Sequence, residues 1–578
     1  MLNNSTSISR QISPASVFVY GILFVALSFL RTGYTVCGAN QGIHIPLVFC
    51  LNDPSLYPSD PFAATLRYYA SPLWQVVAWF AATVPLESLL FWLFVLERFL
   101  VIGASAFLAH SFTPKSRLAM VGSMALFAFA IRPIVGMGTL TSPYFEQTGF
   151  SIVFFLLAVA AFYRHRPFWW AACLGIEFNL NSMYGTYAVT YFLMAFLISG
   201  EYRRSWKKWM AACLFFLFLA APALWMTLRA FGRPSSGDQE WITALEFYYP
   251  YHFYPSTWGR RDWGVLGLLF ALTTLVLFNC RKKEAKLWRF NMVWLGVCLI
   301  WIFYAFISVY VARSPAMIIM HPARATDLWY CLAGISLLSA AAARLEEDPA
   351  PVWAAIFGAS VWTWELFQGS YVIVPALISI AVAFNHRWAW EFLLAKGSPK
   401  RIAFLLCVWV LTASSLSFYG RYRESGTVEQ ALCQKPPAPI TEAAQWAGAH
   451  TSRDTVFLID PTWELFRIFS RRPVFLLWKD GSAILWDKPF AGEWLTRFHA
   501  IGIDTARTRP IRTLAEIKSQ VRKGFSRLTD KDVKELAGKY PVNYWVVPVN
   551  KISGFTEVFR GSEFKVLKVN PPGKGQEP

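Results

Sequence analysis

The chain has 578 residues, of which 55% are hydrophobic, 17% aromatic and only 15% charged, a composition far too apolar for a soluble protein of this length. It reads as an integral membrane protein. The formal net charge of +19 does not argue for nucleic acid, because the chain carries no nucleic-acid motif and its basic residues collect where membrane topology places them.

The first apolar run, 15–31, has no convincing small-residue cleavage site and is followed by many similar runs, so it reads as a first span and not as a signal peptide. Further runs lie at 87–109, 117–137, 149–163, 168–181, 184–199, 207–230, 263–280, 290–311, 326–343, 351–367, 371–385 and 402–418, which makes about thirteen. An isolated span needs ~20 residues. The short runs between 149 and 199 and between 351 and 385 are therefore expected to be bent or packed inside the bundle. With Arg10 on the cytoplasmic side, the inner loops carry Lys115 and Arg117, Arg164 and Arg166, then Arg203, Arg204, Lys207 and Lys208. Later ones carry Arg281 to Arg289 and Arg387 to Arg401, a bias that predicts a cytoplasmic N-terminus and an outer tail.

The unusual residues fall on the outer side. Outer loop 1, about 32–86, contains NDPSLYPSDPF, in which Pro58 and Pro61 stiffen the backbone around Asp60. Asp60 has two compatible readings, a catalytic carboxylate and the N-cap of a helix entered through Pro61. SPLWQVVAWFAATVP, Ser71 to Pro85, reads as an interfacial helix with Trp74 and Trp79 at the headgroup boundary. Nine cysteines without a CxxC pair exclude a metal framework. An oxidising exterior would allow Cys37 and Cys50 to pair.

Outer loop 2 holds SPYFEQT with the single acidic residue Glu146, and EFYYPYHFYPSTW, 246–258, reads as interface anchoring. MHPARATDLW places His321 and Arg324 just before a span, where an arginine suits a phosphate. Arg67 is a second phosphate candidate. Glu97, Arg98, Arg132, Glu177 and Glu365 lie inside spans and need partners or a wet cavity. The first three read as structural ion pairs, and Glu177 and Glu365, toward the outer ends of their spans, as cavity residues.

A domain boundary is expected near 420, dividing a membrane domain, 1–419, from an outer soluble α/β domain, 420–578. Within the tail, 455–459, 473–478, 543–549 and 564–569 read as strands and 441–449, 513–522 and 530–539 as helices.

An acidic first outer loop near an interfacial helix, about thirteen spans and an outer α/β tail together resemble the GT-C class of integral-membrane glycosyltransferases. NQGIHIPLVFCLNDPSLYPSDPF, Asn40 to Phe62, FRIFSRRPVFLLWKDG, Phe466 to Gly481, and EWLTRF, Glu493 to Phe498, are similar to stretches of bacterial GT-C-like proteins. Two features depart from oligosaccharyltransferases, whose second outer loop has paired acids and whose tail has a WWD-type motif. Here Glu146 stands alone and WKDG only echoes that motif, so asparagine glycosylation is not implied.

The resemblance implies inverting transfer of one sugar from a polyprenyl-phosphate donor to an extracytoplasmic glycan, lipid or protein acceptor. The reaction needs no cofactor and has no supported metal. Such transfer needs a carboxylate to take the acceptor proton and a cation on the leaving phosphate. Asp60 and Glu146 are the catalytic candidates. Arg324, His321, Arg67, His44 and Glu177 form the substrate-binding set. A transporter or flippase of a lipid-linked substrate, and an inactive GT-C-like scaffold in envelope polysaccharide assembly, remain as alternatives. The charge bias yields a direct prediction: a periplasm-active reporter fused after residue 425 is active, and a cytoplasm-active reporter is silent. The reverse pattern would overturn the topology.

Overall fold

A computed structural model describes residues 12–129, 142–231, 237–347, 398–505 and 514–569. The expected runs 351–367 and 371–385, the end of 117–137, and Arg10, Arg132 and Glu365 lie outside the described residues. Seven described helices are long and apolar enough to cross a bilayer: Pro14–Thr32, Leu86–Phe112, Trp206–Ala230, Asp262–Cys280, Ala285–Val311, Pro315–Glu347 and Ile402–Ser425. Arg117–Ala128, Gln147–Tyr163 and Ser182–Ile198 are apolar but shorter, as is Pro167–Leu180. The expectation that the runs between 149 and 199 pack inside is met by the Gln147–Tyr163 helix, most of whose residues are buried.

Side-chain size sorts these helices. The Ala325–Glu347 helix is rich in Ala, Gly and Ser and buries nearly its whole length, since small residues let neighbouring helices approach closely. In the most apolar 18-residue stretch of Pro315–Glu347, 89% of the residues are buried, against 22% in that of Trp206–Ala230. The former is the axis of the bundle. Leu214, Phe218 and Trp225 on the latter are exposed at helical spacing, an apolar stripe suited to lipid.

Above the bundle, loop 1 folds into the Gln41–Asn52, Pro61–Thr65 and Pro72–Ala81 helices. Strand β1 (Tyr34–Thr35) runs parallel to β2 (Cys433–Gln434), joining loop 1 to the start of the tail. The tail sheet has the order β3 (Val456–Leu458), β4 (Val542–Pro548), β6 (Phe564–Lys568), β5 (Thr556–Arg560). β3 and β4 are parallel, and the other pairs are antiparallel. A small core of Ala443, Ala444, Ala447, Phe457, Phe466 and Val546 belongs to the tail alone. The larger core is shared: Ile43, Trp74, Trp241, Phe247, Trp478, Trp494 and Phe498 join loop 1, the Asp238–Tyr248 helix and the tail. The tail is thus built onto the outer loops.

Several expectations change in this shared core. Trp79 is exposed, but Trp74 is fully buried, stacked on His44 at 4.1 Å and donating to Gln147 Oε1 at 2.8 Å. The aromatic stretch 246–258 is not an interface anchor along its length, because Phe247 and Tyr248 pack on Trp478 at 5.2 Å. The 473–478 segment makes a single bridge, Val474 to Phe457, and then turns into the Trp478–Leu485 3-10 helix. Gly481 in that turn is obligatory, since a Cβ there would stand 2.6 Å from Trp494 and 2.8 Å from Tyr248. Cys37 and Cys50 are free thiols, and burial pushes both up to about 12.

One ion cluster fastens the two parts. Asp60 caps the Pro61–Thr65 helix, accepting from Phe62 N at 3.0 Å and Ala63 N at 3.2 Å, with Pro61 at the first helical position. The same carboxylate accepts from Arg467 Nε at 2.7 Å and Nη2 at 3.2 Å, and from Val474 N at 3.1 Å. Asp480 grips the other side of Arg467, at 2.6 Å from Nη1 and 2.9 Å from Nη2. Burial alone would lower the Arg467 pKa, but Asp480 and Asp60 outweigh it and raise it. Tyr57, held at φ 60°, donates to Arg467 O at 3.0 Å. Removing one member of such a buried set costs about 3–5 kcal/mol. Asp60→Asn is therefore expected to lower the thermal unfolding midpoint of the detergent-solubilised chain strongly, and an unchanged midpoint would contradict this role.

Candidate functional site

Beneath the tail, a cavity of about 300 Å³ is walled by loop 1, the Glu146 loop, the His321–Arg324 turn, the Trp206–Phe231 helix and the tail's 482–488 segment. Glu146, Arg324, His321 and His44 line it together. Asp60, Arg67 and Glu177 do not. Arg67 is exposed, stacked on Tyr68 at 4.9 Å. Glu177 is fully buried, with neither carboxylate oxygen hydrogen-bonded. Asp60 is buried among five donors, and this geometry removes the support for it as a base: the helix-cap reading describes its environment and the Arg467 pair completes it.

Glu146 precedes the Gln147–Tyr163 helix and is largely buried. Asn40 Nδ2 donates to its Oε1 at 2.5 Å and Ser142 Oγ to its Oε2 at 2.6 Å. Lys479 Nζ in turn donates to Asn40 Oδ1 at 2.6 Å, so the tail orients the residue that orients the carboxylate. Behind it, Glu97 Oε2 accepts from Glu146 N at 3.5 Å, and Arg98 donates to Ser142 O. Glu97 and Arg98 thus brace the loop, in keeping with a structural reading of these charges inside a span.

Arg324 closes the Pro322–Arg324 3-10 turn that leads into the Ala325–Glu347 helix. Its charge interacts with Asp327 and Glu146, while its Nε is buried without a hydrogen-bond partner. His321 before it is left-handed at φ 45°, a conformation that costs roughly 1–3 kcal/mol at a non-glycine residue. Tyr187 Oη holds it there by donating to His321 O at 2.8 Å and Met320 O at 2.5 Å. A helix N-terminus, an arginine with an unsatisfied donor and a strained turn meet at one wall, an arrangement suited to an anion.

The opposite wall is aromatic. His44 Nε2 lies 3.0 Å from Tyr69 Oη, which accepts from Gln147 Nε2 at 2.9 Å. Trp486 meets Tyr69 edge-on at 4.9 Å, and Tyr249 and Lys488 complete the lining. Asn40, Tyr69, Trp486 and Lys488 were not among the sequence candidates. Asn40 and the WKDG stretch lie in the segments that resemble GT-C-like proteins, and no local pattern marks Tyr69 or Lys488.

The fold and the site together define an integral membrane protein with a polar, aromatic cavity closed by its C-terminal α/β portion. Residues 438–501, which contain Arg467, Asp480, Trp486 and Lys488, match a family described as a domain of unknown function, DUF6798. No curated protein matches the chain. Among solved structures, the chain is similar to the arabinofuranosyltransferase AftD from Mycobacteria, at 14% identity and a TM-score of 0.47, over 97% of this chain and 40% of that chain. This chain therefore spans well under half of that protein's length.

Burial, and next to it Lys479, pushes the His44 imidazole down from 6.5 to about 3. The unfolded chain takes up this proton below about pH 6.5, whereas the folded chain refuses it until about pH 3. The stability is present above pH 6.5 and is lost as pH falls through that window, by roughly 1 kcal/mol per pH unit. His44→Gln is expected to flatten the fall of the unfolding midpoint between pH 6.5 and 4.5, and equal slopes in the two proteins would contradict the assignment.

Proposed function

We propose that this protein is a GT-C-like membrane glycosyltransferase that moves a sugar, with inversion, from a polyprenyl-phosphate donor to a hydroxyl of an extracytoplasmic glycan, lipid or protein. The observation that carries the reading is the single cavity that unites the Glu146 carboxylate with Arg324, His321 and Lys488. Glu146 takes the proton of the acceptor hydroxyl as its oxygen attacks the anomeric carbon. The bond between that carbon and the phosphate oxygen breaks, and the electron pair leaves on the polyprenyl phosphate. Arg324 and Lys488 meet the developing charge on the phosphate. Arg324 stands at the start of a buried helix before the donor arrives, which limits reorganisation during transfer.

Tyr69, Tyr249 and Trp486 line the same space and offer flat faces to a sugar ring. The apolar residues Phe178, Met183 and Ile319, also in the lining, suit the first isoprene units. Asp60 contributes from outside the cavity by holding Arg467 and with it the tail. The Lys/Arg bias of the loops supports a cytoplasmic N-terminus and an outer tail, and with that orientation the acceptor lies in the periplasm or cell exterior.

The test uses membranes containing the full chain, a labelled polyprenyl-phosphate sugar and an envelope glycan acceptor. Glu146→Gln keeps the shape of the side chain and loses the base, so transfer is expected to fall by about 10²- to 10⁴-fold with the unfolding midpoint retained. Transfer at the wild-type rate by the folded variant would overturn the assignment. Sugar-lipid movement across the membrane without glycosidic bond formation would favour a flippase instead.

A further inference from the structure

A second cavity, larger at about 840 Å³, opens at the other end of the Gln147–Tyr163 helix, about 26 Å from Glu146 along that helix. It surrounds the turn Arg164–Arg166 that joins this helix to Pro167–Leu180. Arg164, Arg166 and Lys286 form its polar rim, and Phe107 and Leu157, on membrane helices, form its apolar wall. We infer that this recess binds the headgroup of an anionic phospholipid from the leaflet opposite the candidate active site, with an acyl chain lying along the apolar wall.

Three observations carry the inference. The first is helix length: 17 and 14 residues rise only about 26 and 21 Å, short of the ~30 Å hydrocarbon core. Two short helices joined by a basic turn leave a step in the bundle, and lipid must sink into it or leave it unfilled.

The second is charge. Arg164 rests over the Phe107 ring at 4.8 Å, and neither it nor Arg166 forms a salt bridge among the described residues. Lys286 is over Tyr163 at 4.7 Å and 3.1 Å from His165 Nε2. Two acidic residues lie near the group: Glu201, which is 2.6 Å from His165 and 3.4 Å from Lys286, and Glu284, whose charge acts on Tyr163; neither pairs with Arg164 or Arg166 among the described residues. Arg164 and Arg166 therefore remain as uncompensated cations beside an apolar wall, and that pairing selects an amphiphile with a phosphate, in preference to free phosphate or a peptide.

The third is rigidity. His165 is left-handed at φ 55°, stacks on Tyr202 at 4.4 Å and is held by Glu201, so the two arginines project from a fixed turn. Phe168 and Trp169 beside it are exposed, as residues at a headgroup boundary are.

The experiment is native mass spectrometry of the full chain released from nanodiscs of phosphatidylcholine doped with phosphatidylglycerol. Wild type is expected to retain phosphatidylglycerol in preference to phosphatidylcholine. Arg164→Gln/Arg166→Gln is expected to lower that preference by about 30-fold, each charge near the surface being worth about fivefold. Lys207→Gln/Lys208→Gln removes the same charge from exposed positions on the same side, outside the cavity, and is expected to keep the preference. Equal loss in both variants, no loss in either, or displacement of the lipid by millimolar inorganic phosphate would each overturn the inference. Thermal midpoints of both variants, measured alongside, are expected to stay at the wild-type value; a collapse of the Arg164→Gln/Arg166→Gln midpoint in lipid-free detergent would assign these arginines to folding and overturn it as well.

Discussion

A guanidinium removed from water costs several kcal/mol unless opposite charge and hydrogen bonds replace its solvent. Arg467 is almost fully buried, and its replacement comes from both sides of a boundary: Asp60 from the first outer loop and Asp480 from the tail. Neither part can satisfy it alone. The cluster therefore makes the loop and the tail fold as one body, and it does so through an acid already committed to capping a helix. The 482–488 segment that walls the cavity follows Asp480 directly, so the position of that wall depends on the same contact.

The cavity below includes a departure from regular structure: His321 in its lining is left-handed at φ 45°. Arg324 Nε, like His44 Nδ1, His321 Nδ1 and Asp327 Oδ1, is buried without a hydrogen-bond partner among the described residues. Unsatisfied polar atoms are tolerated in native structures where a ligand or water completes them. Glu146, by contrast, is held by Asn40 and Ser142. The Glu146 carboxylate is thus fixed by hydrogen bonds, whereas the Arg324 guanidinium keeps an unsatisfied donor.

Much of this was legible in the sequence because burial in lipid leaves a strong signature. Apolar runs located the membrane helices among the described residues, and tail strands β3, β4 and β6 followed from short β-branched and aromatic runs. β5 was missed because TEVFR has one exposed edge and little apolar content. The 473–478 run reads as a strand because it is apolar; its residues are buried by tertiary packing, Trp478 on Tyr248 and Trp494, Phe475 on Tyr540, and Val474 and Leu477 in the tail core, which no local period records. Glu146, Arg324, His321 and His44 were picked by chemistry and share one cavity. Asp60 stands out in the sequence for the prolines on either side of it, of which Pro61 opens the helix that Asp60 caps. Its partner Arg467 lies 407 positions away, and contact at that separation leaves no trace in a single sequence. The cap and the ion cluster are therefore visible only in the donors around Asp60.

The central claim is that the cavity between Glu146 and Arg324 receives a phosphate-linked sugar. The most direct measurement is a cryo-EM structure of the full chain in nanodiscs with a polyprenyl-phosphate sugar added. The account predicts the phosphate within hydrogen-bond distance of the Arg324 guanidinium and the sugar between Glu146 and Trp486. Density for the donor on any other face of the bundle, with this cavity unchanged, would contradict it.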